Sequence, residues 1–405
     1  MRTRGPPRSG GLLSGEYDNK HGGKKARRRR QELLKLTAAA LLLVCSLLVW
    51  RTGSRSSSSE SSDQSPSPPG DVGTAVHEEA EDPAGATEKE RERKRNRHTR
   101  KSRPDRKPVC TASPLESQEA FPPYGCEDIE IMLGGRTEYL GTGYWRDVRL
   151  AEYNGEKVAL KTLRLDQEES RRNRERHRWE ALALDKLSEH PNIVHLLGIC
   201  DCDIVTEYFP HYMDVLLLGD SEDSSKELEE IPMERVIRMA LDAARGLQAL
   251  HELPGGPVVH ADLQPRQLLI DEDGVVKVND LNRCRFMGRD EAGEPCPFQI
   301  SKGNGVWRSP EEYEGKDLTE KIDIYSMGNI FWAMLGRDVP FERDEFYKKK
   351  VLRGERPAVD PQWHEDFVEL FQHMWRRDPK QRPSAREVVE RLEKMDSELP
   401  PESGS

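Results

Sequence analysis

The chain has 405 residues, of which 35% are hydrophobic and 34% charged, with a formal net charge of −10 at pH 7. So polar a composition excludes a core running through the whole length, and part of the chain is predicted to lie outside any folded domain. Basic runs sit near the N-terminus and just ahead of residue 107 while the remainder is acidic, and no basic stripe falls on a recognisable nucleic-acid module, which argues against nucleic-acid binding.

Residues 36–50 read LTAAALLLVCSLLVW and extend back to residue 33 only by including Lys35. An apolar run of that length suffices for a tilted span of a hydrocarbon layer ~30 Å thick, which predicts a transmembrane signal anchor over residues 33–50. A buried amphipathic helix and a cleaved signal peptide are the alternatives. Lys24, Lys25, Arg27, Arg28, Arg29 and Arg30 precede the run, against Arg51 and Arg55 soon after it. The positive-inside rule then makes residues 1–32 a basic cytosolic tail. A single-pass type II arrangement follows, with everything beyond the span lumenal (Golgi or ER) or extracellular.

Residues 51–127 contain SRSSSSESSDQSPSPPGD, an acidic stretch and ERKRNRHTRKSRPDRK. They bury too little apolar surface to offset the entropy of ordering and are predicted to form a disordered stem. The basic run is read as a solvated tether, with a proteolytic site or an acidic-lipid contact as alternatives. Beyond Cys45 in the span, cysteines stand at positions 110, 126, 200, 202, 284 and 296. An even set in an oxidising compartment permits disulfides, Cys110 with Cys126 first among them, and reduced buried thiols are the alternative. No N-x-[ST] acceptor occurs.

Apolar periodicity becomes dense from residue 128 and marks one domain over 128–397, with 398–405 as a tail. The segment TEYLGTGYWRDVRLAEYNGEKVALKTL predicts a hairpin and a third strand, with Asn154-Gly155 at one turn. Apolar spacing of three to four then predicts helices over 171–187, 233–253, 367–375 and 385–395. A small β-rich part followed by a larger helical part is an α+β, bilobal order.

The run GTGYWRDV, residues 141–148, offers Gly141 and Gly143 where backbone amides would approach phosphate oxygens, with Val148 following and Arg146 where a third glycine is expected. Val158-Ala159-Leu160-Lys161 then places an ammonium on the next-but-one strand, within reach of α- and β-phosphates. Glu180, on the helix that follows, is the carboxylate expected to hold Lys161 in place.

In order and spacing these motifs resemble the eukaryotic protein-kinase superfamily from about residue 139 to 392. The resemblance implies a bilobal kinase fold. It makes residues 205–209 (VTEYF) the hinge, in which Thr206, Glu207 and Phe209 would surround adenine with Thr206 as gatekeeper. VVHADLQPRQLLI resembles the catalytic loop, giving Asp262 as the base toward the substrate hydroxyl and Gln267 as a metal ligand. KVNDLNRCRF resembles the metal-binding motif, giving Asp280 as the principal ligand, with Leu281 and Asn282 in place of the usual phenylalanine and glycine. WRSPEEY, DIYSMGNI and RDPKQRPSA resemble the large-lobe signatures, which implies a buried Glu311–Arg382 pair and a brace on the catalytic loop from Asp323.

The pattern departs from the family at informative places. Ala261 replaces the arginine that would pair with a phosphorylated activation segment, and the only hydroxyl between Asn282 and Arg308 is that of Ser301. Activity is therefore expected not to need that switch. Gln264 replaces the loop lysine of Ser/Thr kinases and Gln267 the usual asparagine, so a pseudokinase scaffold is the rival reading. Asn304 and Trp307 on one side and the DLQP proline on the other leave the acceptor open between Ser/Thr and Tyr. The lumenal placement, the single span, the cation at the third glycine and NDLN are loosely similar to the secretory-pathway protein O-mannose kinases, so a protein-linked sugar is a minority alternative. ATP with Mg2+ or Mn2+, a protein or glycoprotein substrate and a membrane contact through one helix are the implied cofactors and partners.

Overall fold

Asn154 and Gly155, at φ 53° and 83°, make the tight turn between the strands Arg146–Tyr153 (β2) and Glu156–Leu163 (β3). Positive φ at both central residues suits the right-handed twist of a hairpin, and Asn-Gly adopts it at least cost. The computed structural model describes residues 110–399, except 168–169, 220–227, 229, 301–303 and 342–343. Among the described residues no helix is long and apolar enough to cross a membrane. The anchor expected over 33–50, the tail over 1–32 and the stem up to 109 lie outside them.

The small lobe begins with helix Cys126–Gly134 (α1), and its five-stranded antiparallel sheet also takes in Thr137–Thr142 (β1), Leu196–Cys200 (β4) and Asp203–Glu207 (β5). The order is β1-β2-β3-β5-β4. The register sets Val148 opposite Lys161 and Ala159 opposite Thr206. Helix Arg171–Lys186 (α2) starts where the Ser170 side chain accepts from the Asn173 amide, a standard N-cap. A cluster of Ile129, Met132, Ala151, Val158, Leu160 and Val205 seals the sheet under α1.

In the large lobe, the helix Met233–His251 (α3) buries an apolar stripe, whereas Lys321–Gly336 (α5) is buried on nearly every side from Ile322 to Met334. A helix buried all round has only protein to satisfy its polar residues. Asn329 accordingly donates to the Trp307 carbonyl at 3.1 Å, and Asp323 is engaged below. Between these helices in the chain lies a short hairpin, Leu268–Ile270 (β6) and Val276–Val278 (β7), with Gln267 just before its first strand and Asp280 just after its second. It joins the small lobe where Val278 exchanges hydrogen bonds with Val194 and Asn192, at 3.0 and 2.9 Å. Helices Pro310–Glu314 (α4), Glu365–Met374 (α6) and Ala385–Glu398 (α7) also belong to the lobe, the last started by a capping box between Ser384 and Glu387. The main core runs through this lobe and reaches α2 and the sheet through Leu182, Leu184, Ile193 and Ile204.

Two expectations change. Cys110 does not pair with Cys126: the disulfides are Cys110–Cys296 and Cys126–Cys200, and Cys202 and Cys284 are free and buried. The cause is that residues 110–126 run from the large lobe to the small one, through one 3-10 turn at Pro114–Ser117, which parts two cysteines that are near in sequence. The same residues, assigned to the stem by composition, are packed against the domain, with Leu115 only 4% exposed.

Candidate active site

A cleft of about 170 Å³ opens between the lobes. Of the residues singled out in the sequence, Gly143, Val148, Ala159, Lys161, Thr206, Glu207, Phe209, Gln267 and Asp280 line it, while Gly141, Glu180 and Asp262 stand outside its lining. The β2–β3 register brings three of the first group together, because Val148 and Lys161 are cross-strand partners and Ala159 lies two residues before Lys161 on the same face.

Lys161 is 7% exposed, and its Nζ donates to Asn279 Oδ1 at 2.6 Å. Burial lowers the Lys161 pKa, and the opposing pull of Glu180 does not restore it because Arg146 adds to the lowering. The expected hydrogen-bonded pair of Glu180 with Lys161 is replaced: both Glu180 oxygens accept from Arg146 Nη2, at 2.7 and 2.6 Å. The reason is the guanidinium at the third-glycine position, whose side chain is 4% exposed and turned inward toward α2. Burial opposes the charge on Arg146, but Glu180 and then Asp280, 3.8 Å away, outweigh it and raise its pKa. Its Nη1 is buried without a hydrogen-bond partner.

At the hinge, Thr206 is buried and Glu207 accepts from the His195 amide at 2.8 Å and from Lys277 Nζ at 3.0 Å. Phe209 packs with Val194 and Leu269, under the Lys277 ammonium.

The catalytic-loop candidate is held from below. Asp323 Oδ2 accepts from the His260 amide at 2.7 Å and Oδ1 from the Ala261 amide at 2.9 Å, and His251 Nε2 lies 3.1 Å away. The brace expected from Asp323 is therefore present, as is the Glu311–Arg382 pair, at 2.6 and 2.8 Å. Asp262 accepts a hydrogen bond from Arg308 Nη2, and Arg283 Nη1 stands 3.8 Å from it. Arg308 also donates to the carbonyls of Ala261, at 2.9 Å, and Asn304, at 3.2 Å. Ser301 lies outside the described residues.

Asp280 accepts from Asn282 Nδ2. Burial, and then the charge of Glu180, raise the Asp280 pKa against the pull of Arg146 and Lys161. Among the described residues no group of three His, Cys, Asp or Glu gathers as a metal cage. The donors at hand, a carboxylate and the Gln267 amide at the cleft wall, are hard oxygen ligands. They fit a cation such as Mg2+ that completes its shell with phosphates and water.

Sequence reading missed Arg146 as the partner of Glu180, Asn279 as the partner of Lys161, and Arg308. Each had a local signal: an arginine where glycine is expected, an amide directly before Asp280, and a cation in WRSPE.

Two lobes, a hinge, a braced loop and a cleft lined by lysine and aspartate define a protein-kinase fold. A protein kinase domain model matches residues 136–392. The chain is 31% identical over 268 residues to the dual specificity protein kinase shkD of Dictyostelium discoideum, covering 64% of this chain and 34% of that protein. It is 32% identical over 275 residues to the probable serine/threonine-protein kinase drkC of the same organism, covering 66% and 35%. With serine/threonine-protein kinase 12 of Arabidopsis thaliana it shares 30% identity over 255 residues, covering 61% and 53%. The chain thus spans about a third to a half of the length of these relatives, and it belongs to the protein kinase family.

Proposed function

We propose that this chain transfers the γ-phosphoryl group of ATP to a hydroxyl of a protein, on Ser/Thr or Tyr. The observation that carries this is the convergence of Lys161 from β3, Asp280 from the segment after β7 and Gln267 on one cleft beside the Asp262 loop. Gly143, Val148 and Ala159 would cover the nucleotide, and Thr206, Glu207 and Phe209 would flank its base. Lys161 would neutralise phosphate charge, and Asp262 would orient the acceptor hydroxyl and take its proton. Asp280 and Gln267 would hold a divalent cation, Mg2+ or Mn2+, which supplies charge neutralisation at the phosphates.

Membrane anchoring through residues 33–50, with the kinase domain lumenal, is part of the same proposal and rests on the apolar run and its basic flank. Protection of the domain from protease in sealed microsomes tests it; digestion without detergent would place the domain in the cytosol.

The experiment for activity is transfer of label from ATP by the full chain with Mg2+ or Mn2+, onto mixed secretory proteins and mannose-bearing glycopeptides. The Asp262→Asn and Asp280→Ala variants run beside it. Label that depends on both aspartates supports the proposal, and full activity in Asp280→Ala ends it. A scaffold without catalysis is the second reading, favoured by the engagement of Glu180 with Arg146 instead of Lys161. No label, together with no thermal stabilisation by millimolar nucleotide, would establish it.

A further inference from the structure

Residues 110–126 form a strap fastened at both ends. At the large-lobe end Cys110 is disulfide-bonded to Cys296. Beside it the Arg289 carbonyl accepts from the Thr111 amide at 3.0 Å and from Thr111 Oγ1 at 2.9 Å. Both partners, Arg289 and Cys296, belong to the activation segment between Asp280 and Ser309. Farther along, Ser113 Oγ donates to the Gly255 carbonyl at 3.2 Å and Leu115 enters the main core.

The middle of the strap crosses α2. The Arg178 guanidinium donates to the carbonyls of Glu116, at 3.0 and 3.1 Å, and Gln118, at 2.5 Å, and Asp185 Oδ1 accepts from the Phe121 amide at 3.1 Å. At the small-lobe end the Tyr124 amide donates to the Leu197 carbonyl at 2.9 Å, and Cys126 is bonded to Cys200 on β4. Arg178 and Asp185, seven residues apart, share one face of α2, and Glu180 lies about 200° round the helix from Arg178. The strap therefore grips the outer face of the helix whose inner face presents Glu180 to Arg146.

Kinases commonly set this helix through phosphorylation of the activation segment. Here that route is poorly equipped, since Ala261 carries no cation and Ser301 is the only hydroxyl-bearing residue from 283 to 307. We propose that the strap is the covalent substitute: the Cys110–Cys296 bond and the Arg178 grip fix α2 and the activation segment together, so α2 keeps its place in the domain without modification. Arg178 is a positioning residue that acts through Glu180. The consequences for rate rest on the kinase reading, whereas those for helix order do not.

The test uses the full chain and the variants Cys110→Ser/Cys296→Ser, Arg178→Gln and Arg178→Lys. A fourth, Gly288→Val, keeps both cysteines but unseats the strap, because a Cβ at Gly288 would fall 1.7 Å from the Thr111 carbonyl oxygen. Amide exchange over residues 171–186 is expected to rise about tenfold in the double-serine, Arg178→Gln and Gly288→Val variants, with residues 233–251 unchanged, as local opening of one unit requires. Arg178→Lys should recover part of the protection. The turnover number should fall more than the KM for ATP changes, and phosphatase treatment of the native chain should leave its rate intact. Unchanged exchange in α2, an equal rise throughout the domain, or loss of rate on phosphatase treatment would each overturn the proposal. If the native chain transfers no phosphate yet α2 loosens as described, the strap stands and the kinase reading falls.

Discussion

Arg146 and Glu180 meet through one guanidinium nitrogen that donates to both carboxylate oxygens, with their side chains 4% and 0% exposed. Burial alone would push the Glu180 carboxyl up, but the Arg146 charge, the His177 hydrogen bond and Lys161 outweigh it and hold it down at about 2, from 4.5. A carboxyl whose folded pKa is depressed adds stability that is complete above its unfolded value and is lost as pH falls from about 4.5 through about 2. Arg146→Met removes the main support and leaves a buried charge, so at pH 7 it should destabilise the domain by about 3–5 kcal/mol. Near pH 4 the loss should be smaller, because Glu180 can then accept a proton. Urea unfolding at the two pH values measures the difference, and equal losses would mean that Arg146 does not carry the Glu180 charge.

Much of this arrangement was legible where the signal is local. The Asn154-Gly155 turn, the helices beginning at Arg171, Met233 and Ala385, and the Asp323 brace all follow from residues whose role is set by near neighbours or by motif spacing. The partner of Glu180 was not legible, because two cations, Arg146 and Lys161, are both within reach and only the position of α2 decides between them. The disulfides failed for a related reason. Cys110 and Cys126 are near in sequence, but the strap between them, which is non-helical except for the 3-10 turn Pro114–Ser117, spends its length crossing from one lobe to the other.

Lys161 and Asn279 are coupled in a way that nucleotide should alter. The 2.6 Å bond gives the buried ammonium a neutral partner in place of a carboxylate. Loss of a hydrogen bond to a charged group is worth about 1.5–3 kcal/mol, so Asn279→Ala should lower stability by that amount without ligand. With saturating ATP and Mg2+ the loss should shrink, since phosphate oxygens become the partner of Lys161. Melting curves with and without nucleotide test this, and an identical loss in both would separate Lys161 from the phosphate site.

The catalytic loop holds a strained residue that Asp323 restrains. Ala261 has φ 59°, in the left-handed region, and its amide donates to Asp323 Oδ1 at 2.9 Å. A left-handed conformation costs a residue with a Cβ roughly 1–2 kcal/mol, and glycine avoids it. Asp323→Ala leaves the His260 and Ala261 amides buried without their acceptor and should cost about 3 kcal/mol or more. In an Ala261→Gly background the loop needs less restraint, so the same substitution should cost less, by about 0.5–1 kcal/mol. Additive losses in the four-variant cycle would show that Asp323 does not act against that strain.

Arg382 tests whether fork geometry or charge alone fastens the end of the activation segment. Its two terminal nitrogens meet the two oxygens of Glu311 at 2.6 and 2.8 Å. Its Nε and Nη1 also donate to the carbonyls of Arg376 and Lys321, each at 2.8 Å, and the guanidinium sits over the Tyr325 ring at 5.0 Å. A lysine keeps the charge but has neither the planar fork nor the reach to those carbonyls, so Arg382→Lys is not conservative at this site. It should lose about 3–5 kcal/mol, close to the loss in Arg382→Met, because in both variants Glu311 stays buried and badly paired. Glu311→Gln, which removes the carboxylate charge and keeps the shape, should lose less than either. Chemical unfolding of the three variants decides it: if lysine preserves most of the stability, the pair is held by charge, and the planar contacts of Arg382 contribute little.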